Sequence, residues 1–482
     1  MPNSLAYLIL ALWPLICLVM FRRMPRERAI IWSILGGYMF LPPIAVFDVP
    51  LLTLDKFAIA SIAPWFICVF VLKEEVNLWP RSTLIRLAMV VFVLSVVPTA
   101  MFNGDPLFFS GGAFGQPVPP IPGLGVKDMI LTVAARIVVL LPYLLARQYL
   151  ANAKALRELL IALAIAGVVY SIPALIEIRF SPQINVWVYG FFQHSFDQMM
   201  RAGGFRPIVF MPHGLWVALF FFSTVLAAAA LSRDSRNARG VFRALTAYLA
   251  VILVLCKSYA AIIYGLLLTP IALLTSAKTQ LRVAIILAIV ASSYPMLRNA
   301  SLLPLDAIVS QAAAISADRA RSLEFRFDNE EMLIARAQEK PGFGWGSWGR
   351  NLVRDRATGE SITVTDSRWI ILFGTNGWVG YVAETSLFAL PLILLGWRRR
   401  TLPDGAMSPY ASAVGLIVAA TMVDLLVNDT LVPFTWLCGG AVLGHAEQMS
   451  PQKAESSQQS LASREPAGNR GRRPQKRRRT IL

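Results

Sequence analysis

The sequence predicts an all-α fold, a polytopic bundle of about 12 to 13 transmembrane helices with one long extracytoplasmic loop that contains short helices. Three observations predict it. Apolar runs of roughly 17 to 25 residues, long enough to cross a bilayer, recur along the chain. Of the 482 residues, 56% are hydrophobic, which is more apolar surface than a soluble core of this length buries. The apolar pattern gives way to one mixed, charged stretch of about 70 residues, Arg298 to Arg368.

Spans are expected near 4–21, 29–47, 57–72, 84–101, 128–146, 156–176, 207–231, 244–256, 259–276, 281–297, 369–396, 409–427 and 431–447. The first run, Leu5 to Phe21, is preceded by no basic residue and followed by Arg22, Arg23, Arg26 and Arg28. That is the reverse of a cleavable signal peptide, so an uncleaved span with its N-terminus outside is expected. Alternation then places the basic clusters at Arg22–Arg28, Lys73 with Arg81, Arg147 with Lys154 and Arg157, Arg233–Arg243, Lys278 with Arg282, and Arg398–Arg400 on one side, the cytoplasm. Three larger segments fall outside: Asn103–Lys127, rich in Gly and Pro, Arg179–Arg206, and Arg298–Arg368. Between the two short runs at 244–276, Lys257, Ser258 and Tyr259 suit a tight hairpin turn, with one kinked helix as the alternative. The chain thus divides into a bundle over 1–297, a periplasmic loop over 298–368, three last spans over 369–447, and a basic, disordered cytoplasmic tail over 448–482.

The net charge of +17 does not imply nucleic acid. Nine Lys/Arg against Glu455 and Glu465 put +7 of it in the tail, and most of the rest lies in short loops, a distribution suited to anionic lipid. The four cysteines, Cys17, Cys68, Cys256 and Cys438, fall inside apolar runs and read as small buried hydrophobes. No metal-ligating pattern is visible, and no cofactor is expected.

Chemistry is expected where the long loop meets the membrane. Asp328-Asn-Glu-Glu331 has the form of a capping box and predicts a helix from Asp328 to about Glu339, ended by Pro341. The following Pro341-Gly-Phe-Gly-Trp-Gly-Ser-Trp-Gly349 alternates glycine with large residues. It suits either aromatic faces, Trp345 and Trp348, displayed to sugar rings or a loop that packs on the bundle. Arg201, Arg206 and Arg326 are guanidinium groups on the outer side, suited to bidentate contact with phosphate oxygens, and the helix start near Asp328 would add N–H donors. His213, about one turn inside the span that Arg206 leads into, is an ionisable group at membrane depth and a candidate base. Glu384 and Asp424 also lie at membrane depth and are expected to form structural bridges, with Arg136 or with one another.

These pieces together resemble the bacterial O-antigen ligase and O-antigen polymerase family. The residues that carry the resemblance are Arg201-Ala-Gly-Gly-Phe-Arg206-Pro207, Lys257-Ser258, Arg326, Pro341–Gly346, and Asp366-Ser-Arg-Trp369 running into Gly374-Thr-Asn-Gly377-Trp-Val-Gly380. The resemblance implies a metal-independent glycosyltransferase of the bacterial inner membrane whose donor is an oligosaccharide on polyprenyl pyrophosphate, with a chain-length regulator as a possible partner. The pyrophosphate-binding arginines would correspond to Arg206 or Arg201 and to Arg326. The acceptor-activating residue of the family, often a histidine, falls at Asp366, and Arg368 beside it would contact glycan. Asp366 or His213 would then position the acceptor hydroxyl. Aspartate in place of histidine tilts the reading toward a polymerase, with a ligase that transfers glycan to a lipid A-core acceptor as the alternative. A lipid-linked oligosaccharide flippase is the second alternative, and it would need charge spread along several spans.

Overall fold

The computed structural model describes residues 1–111, 118–201, 203–233, 236–315, 317–403 and 406–449. Gly112, Gly115 and Pro117 of the Gly/Pro-rich segment and the basic tail from residue 450 onward lie outside the described residues. The protein is a helical bundle. In chain order the helices are α1 Ser4–Arg23, α2 Arg26–Phe40, α3 Lys56–Phe66, α4 Thr83–Leu94, α5 Val96–Met101, α6 Val126–Tyr149, α7 Ala153–Phe180, α8 Ile184–Tyr189, α9 Gly214–Leu231, α10 Arg236–Leu255, α11 Tyr259–Leu274, α12 Ala277–Asn299, α13 Leu305–Ile315, α14 Ala317–Gln338, α15 Arg368–Thr401, α16 Pro409–Asp424 and α17 Pro433–Gln448. Two short hairpins, β1 Phe47–Val49 with β2 Leu52–Leu54 and β3 Met200–Arg201 with β4 Gly204–Phe205, join helices at the rim.

Seven helical stretches are long and apolar enough to cross a membrane: Ser4–Arg23, Thr83–Met101, Val126–Tyr149, Ala153–Phe180, Gly214–Leu231, Ala277–Asn299 and Arg368–Thr401. Lys56–Val71, Tyr259–Leu274 and Pro409–Asp424 are shorter apolar helices. Local signals start several of them. Asp55 caps α3 through the N–H groups of Phe57 and Ala58, and Asn152 and Ser276 cap α7 and α12.

Helix α9 lies at the centre, packed on α7, α10 and α11, with Phe220, Phe221 and Phe222 fully buried. A helix apolar on every side belongs inside a bundle, and that is where this one sits. Helices α6 and α17 meet at backbone distance. A side chain at Gly440 would come within 2.0 Å of the Tyr143 carbonyl oxygen, and one at Gly444 within 2.1 Å of that of Arg147. At the same end Arg147 donates to Glu447 over 2.8 Å, far from the long loop.

Two expected boundaries are corrected. The helix expected from about residue 207 begins at Gly214, because Pro207, Pro212 and the left-handed Val209 (φ 50°) keep 206–213 irregular. The loop helix expected from Asp328 begins at Ala317, so Asp328 lies inside it and supplies no free N-terminal N–H groups. Ala, Arg, Leu and Glu upstream are strong helix formers and carry the helix through the capping-box motif. Between α10 and α11 the chain breaks at Lys257 (φ 54°), and Gly265 of the second helix lies against Leu253 of the first, so two helices fold back on each other.

Candidate functional site

The expected site residues fall into two groups on the loop side of the bundle. The first gathers where the β3–β4 hairpin meets the α10–α11 turn. Arg201 ends β3, and its carbonyl accepts from Lys257 Nζ over 2.9 Å. Arg206 follows β4 and is buried against Gly214, where a Cβ would stand 2.3 Å from its Cδ. Its guanidinium reaches the Lys257 carbonyl at 3.4 Å, while Nε has no partner among the described residues. No ion pair joins Arg201, Arg206 or Lys257 to a carboxylate among the described residues. Three cations share one corner of the molecule.

His213 stands beside this corner in a different role from the expected one. It is the N-cap of α9 and lies outside the helix. Its Nδ1 accepts from Leu215 N–H at 3.0 Å, which fixes the proton on Nε2, and Nε2 lies 3.1 Å from Gln198 Oε1. The His194 ring stands edge-on at 4.5 Å. With one nitrogen accepting and the other donating, the ring has no free lone pair for a substrate proton, and the structure gives it a capping role.

The second group is built on α14. Arg326 and Glu330 sit one turn apart, and across from them the approach to α15 presents Asp366 and Ser367. Arg326 Nε lies 3.7 Å from Asp366 Oδ2, with both side chains half exposed. These residues line one cavity of about 60 Å³ with Tyr294 and Leu426. Glu330 is the group that reading by sequence missed. It accepts from Trp369 Nε1 at 3.2 Å and lies 3.4 Å from Arg298 Nε. Burial pushes its carboxyl up to about 7, against the opposing pull of Arg298. Its place in a capping-box motif concealed a carboxyl poised near neutrality.

The glycine-rich segment has the packing role. Helix α15 is broken at Gly377 (φ 63°, ψ −170°), and the loop repairs the break. Trp345 N–H and Gly346 N–H donate to the Gly374 and Thr375 carbonyls over 2.8 and 2.9 Å, while Trp378 and Val379 donate to the Pro341 and Gly342 carbonyls. A membrane helix can be interrupted only where its freed backbone groups find such partners. A Cβ at Gly377 would lie 2.2 Å from the Gly342 oxygen, so the contact requires glycine. Trp345 is buried under Arg336 and Lys340, whose charged groups lie 3.4 and 4.5 Å from its ring, and shows no face to a sugar. Trp348 is exposed, with its indole N–H on Asp128 at 3.0 Å, and keeps an open face. Arg368 is not free for glycan. It grips Glu384 bidentately at 2.7 and 2.8 Å and faces Asp429 at 3.6 Å. Glu384 therefore bridges to Arg368 and not to Arg136, which donates to the Phe92 carbonyl and Ser95. Asp424 accepts from Asn428 and Thr430.

No direct contact joins the two groups among the described residues. Between them lie α11 and α16, which pack on each other. No cluster of three or more His, Cys, Asp or Glu with metal-ligating geometry occurs among the described residues. No protein-family model matches this sequence, and no curated protein matches it.

Proposed function

We propose that this protein is a membrane glycosyltransferase that polymerises polyprenyl-pyrophosphate-linked oligosaccharide units into a bacterial surface polysaccharide. In this reading it resides in the inner membrane with 12 to 13 spans, a periplasmic N-terminus and long loop, and a cytoplasmic basic tail on anionic lipid. The observation that carries the reading is the trio Arg201, Arg206 and Lys257, cations gathered at one corner and paired with no carboxylate among the described residues. Like charges so arranged repel one another, and a bound diphosphate removes that cost while filling the free guanidinium donors.

The acceptor hydroxyl oxygen attacks the anomeric carbon, the bond from that carbon to the pyrophosphate oxygen breaks, and the departing pyrophosphate takes the electron pair. The hydroxyl proton passes to the Asp366 carboxylate beside Arg326. Inversion at the sugar follows from one displacement, and Trp348 offers the exposed ring for glycan. The arginines carry the larger electrostatic share, because a removed donor to a developing anion costs on the order of a hundredfold or more.

The test is the surface polysaccharide of a deletion strain complemented with wild type or Arg206→Ala, resolved by length beside the lipid-linked pool. Single units accumulating in the variant, with long chains restored by wild type alone, is the expected result. Long chains stranded on the carrier would indicate a ligase, and an unchanged profile would remove the diphosphate site.

A further inference from the structure

Residues 206–211 form an irregular stretch that leads from Arg206 into α9, and side chains from three other parts of the chain take up its backbone groups. Glu177, near the end of α7 and fully buried, accepts from Ile208 N–H and Val209 N–H through one oxygen, each at 2.8 Å, and from Ile184 N–H through the other at 3.0 Å. Tyr170, one face of α7 further down, accepts from Phe210 N–H at 3.1 Å. Gln193 donates to the carbonyls of Val209 and Met211 at 2.8 and 3.1 Å. Lys56, the first residue of α3 and 1% exposed, donates to the Phe210 carbonyl at 2.8 Å, with the rings of Tyr38 and Phe57 within 6 Å of its Nζ.

Two opposite charges are therefore buried near one segment, and no ion pair joins them among the described residues. The carboxylate takes N–H groups and the ammonium takes a carbonyl. Burying charge in this way is costly, and here it satisfies backbone groups that Pro207, Pro212 and the left-handed Val209 keep from pairing within a helix. What the arrangement secures is a fixed, non-helical conformation, including the left-handed Val209, immediately after Arg206. Resting on the reading of Arg206 as a diphosphate ligand, we infer that Glu177 and Lys56 are positioning residues for the Arg206 guanidinium, acting through the 206–211 backbone. A carboxylate suits the role because both of its oxygens only accept, whereas the amide of glutamine would aim N–H at one of the three backbone N–H groups.

The experiment measures inorganic pyrophosphate binding to the full-length protein purified in detergent, with thermal stability recorded in parallel. Glu177→Gln and Lys56→Met are each expected to weaken binding by about tenfold, the scale of one lost charged hydrogen bond. In an Arg206→Ala background neither is expected to weaken it further, because both act through that guanidinium. A residue that merely holds the fold together would instead lower stability equally in both backgrounds. Tyr170→Phe, which removes one hydroxyl and keeps the ring, serves if either charged variant fails to fold, and is expected to weaken binding in the same background-dependent way. Wild-type affinity in these variants together with loss in Arg206→Ala overturns the positioning role and leaves the diphosphate site standing. Wild-type affinity in Arg206→Ala itself overturns the site.

Discussion

The two groups of cations on the loop side are treated in opposite ways. Around α14 and α15 each of four arginines has a carboxylate: Arg298 with Glu330 and Glu331, Arg326 with Asp366, Arg336 with Glu339, and Arg368 with Glu384 and Asp429. Around the α10–α11 turn Lys257 donates to the Arg201 carbonyl and Arg206 to the Lys257 carbonyl, and none of the three cations pairs with a carboxylate among the described residues. Neutralised arginines dock a loop helix onto a bundle. Arginines kept apart from carboxylates are available to an anion from outside, and the contrast is what gives the hairpin corner its functional weight.

The comparison breaks first at Arg368 and Glu384. If this pair is structural, Glu384→Ala leaves a guanidinium without its bidentate partner beside a buried site, at a cost of roughly 3–5 kcal/mol. Thermal unfolding in detergent is expected to show that loss, and Arg368→Met combined with Glu384→Met to recover much of it. A stable Glu384→Ala protein that has lost polymer synthesis would instead move this pair into the chemistry.

A smaller effect is expected from pH. Glu330 is held up to about 7 by burial, above the ordinary glutamate value of about 4.3. The folded protein then keeps a proton on Glu330 that the unfolded chain releases. The stabilisation from this group is fully present below the unfolded value and is lost as pH rises through about 7. Arg298 and Tyr294 from α12, Trp369 from α15, and Arg326 and Glu331 on its own helix are the polar groups that face it or stand beside it. Melting temperatures taken from pH 4.5 to 8 are expected to fall by a few degrees more in wild type than in Glu330→Gln. Parallel curves would place the carboxyl's proton elsewhere.

The sequence disclosed the helical bundle and the interruption at Lys257, because apolar runs and isolated charges are local signals. Arg326 and Asp366, forty residues apart, do meet. What could not be read locally depends on distant partners. Trp345, open in the sequence to display or to packing, is covered by Arg336 of α14 and by Lys340 just beyond it, and Arg368 is held by Glu384, 16 residues on and past the break at Gly377. The role of His213 turned on where α9 begins, after a segment that Pro207, Pro212 and Val209 keep irregular and whose backbone groups Glu177, Tyr170, Gln193 and Lys56 take up. Lys56 and Glu177 were visible as charges bordering apolar runs, but their common target was not.

The smallest effect on stability, and the one that sharpens the comparison most, belongs to Arg326 and Asp366. At 3.7 Å and half exposed, they form the loosest pair of the neutralised group, and such pairs contribute less than about 1 kcal/mol. Arg326→Ala, Asp366→Asn and the double variant are therefore expected to melt within about two degrees of wild type. Under the proposed reading the same variants lose long polymer, because a pair that opens easily can exchange its partner for a substrate hydroxyl or phosphate oxygen. Unaltered polymer at unaltered stability would return Arg326 to the structural arginines of α14 and α15 and leave the hairpin corner as the sole anion site.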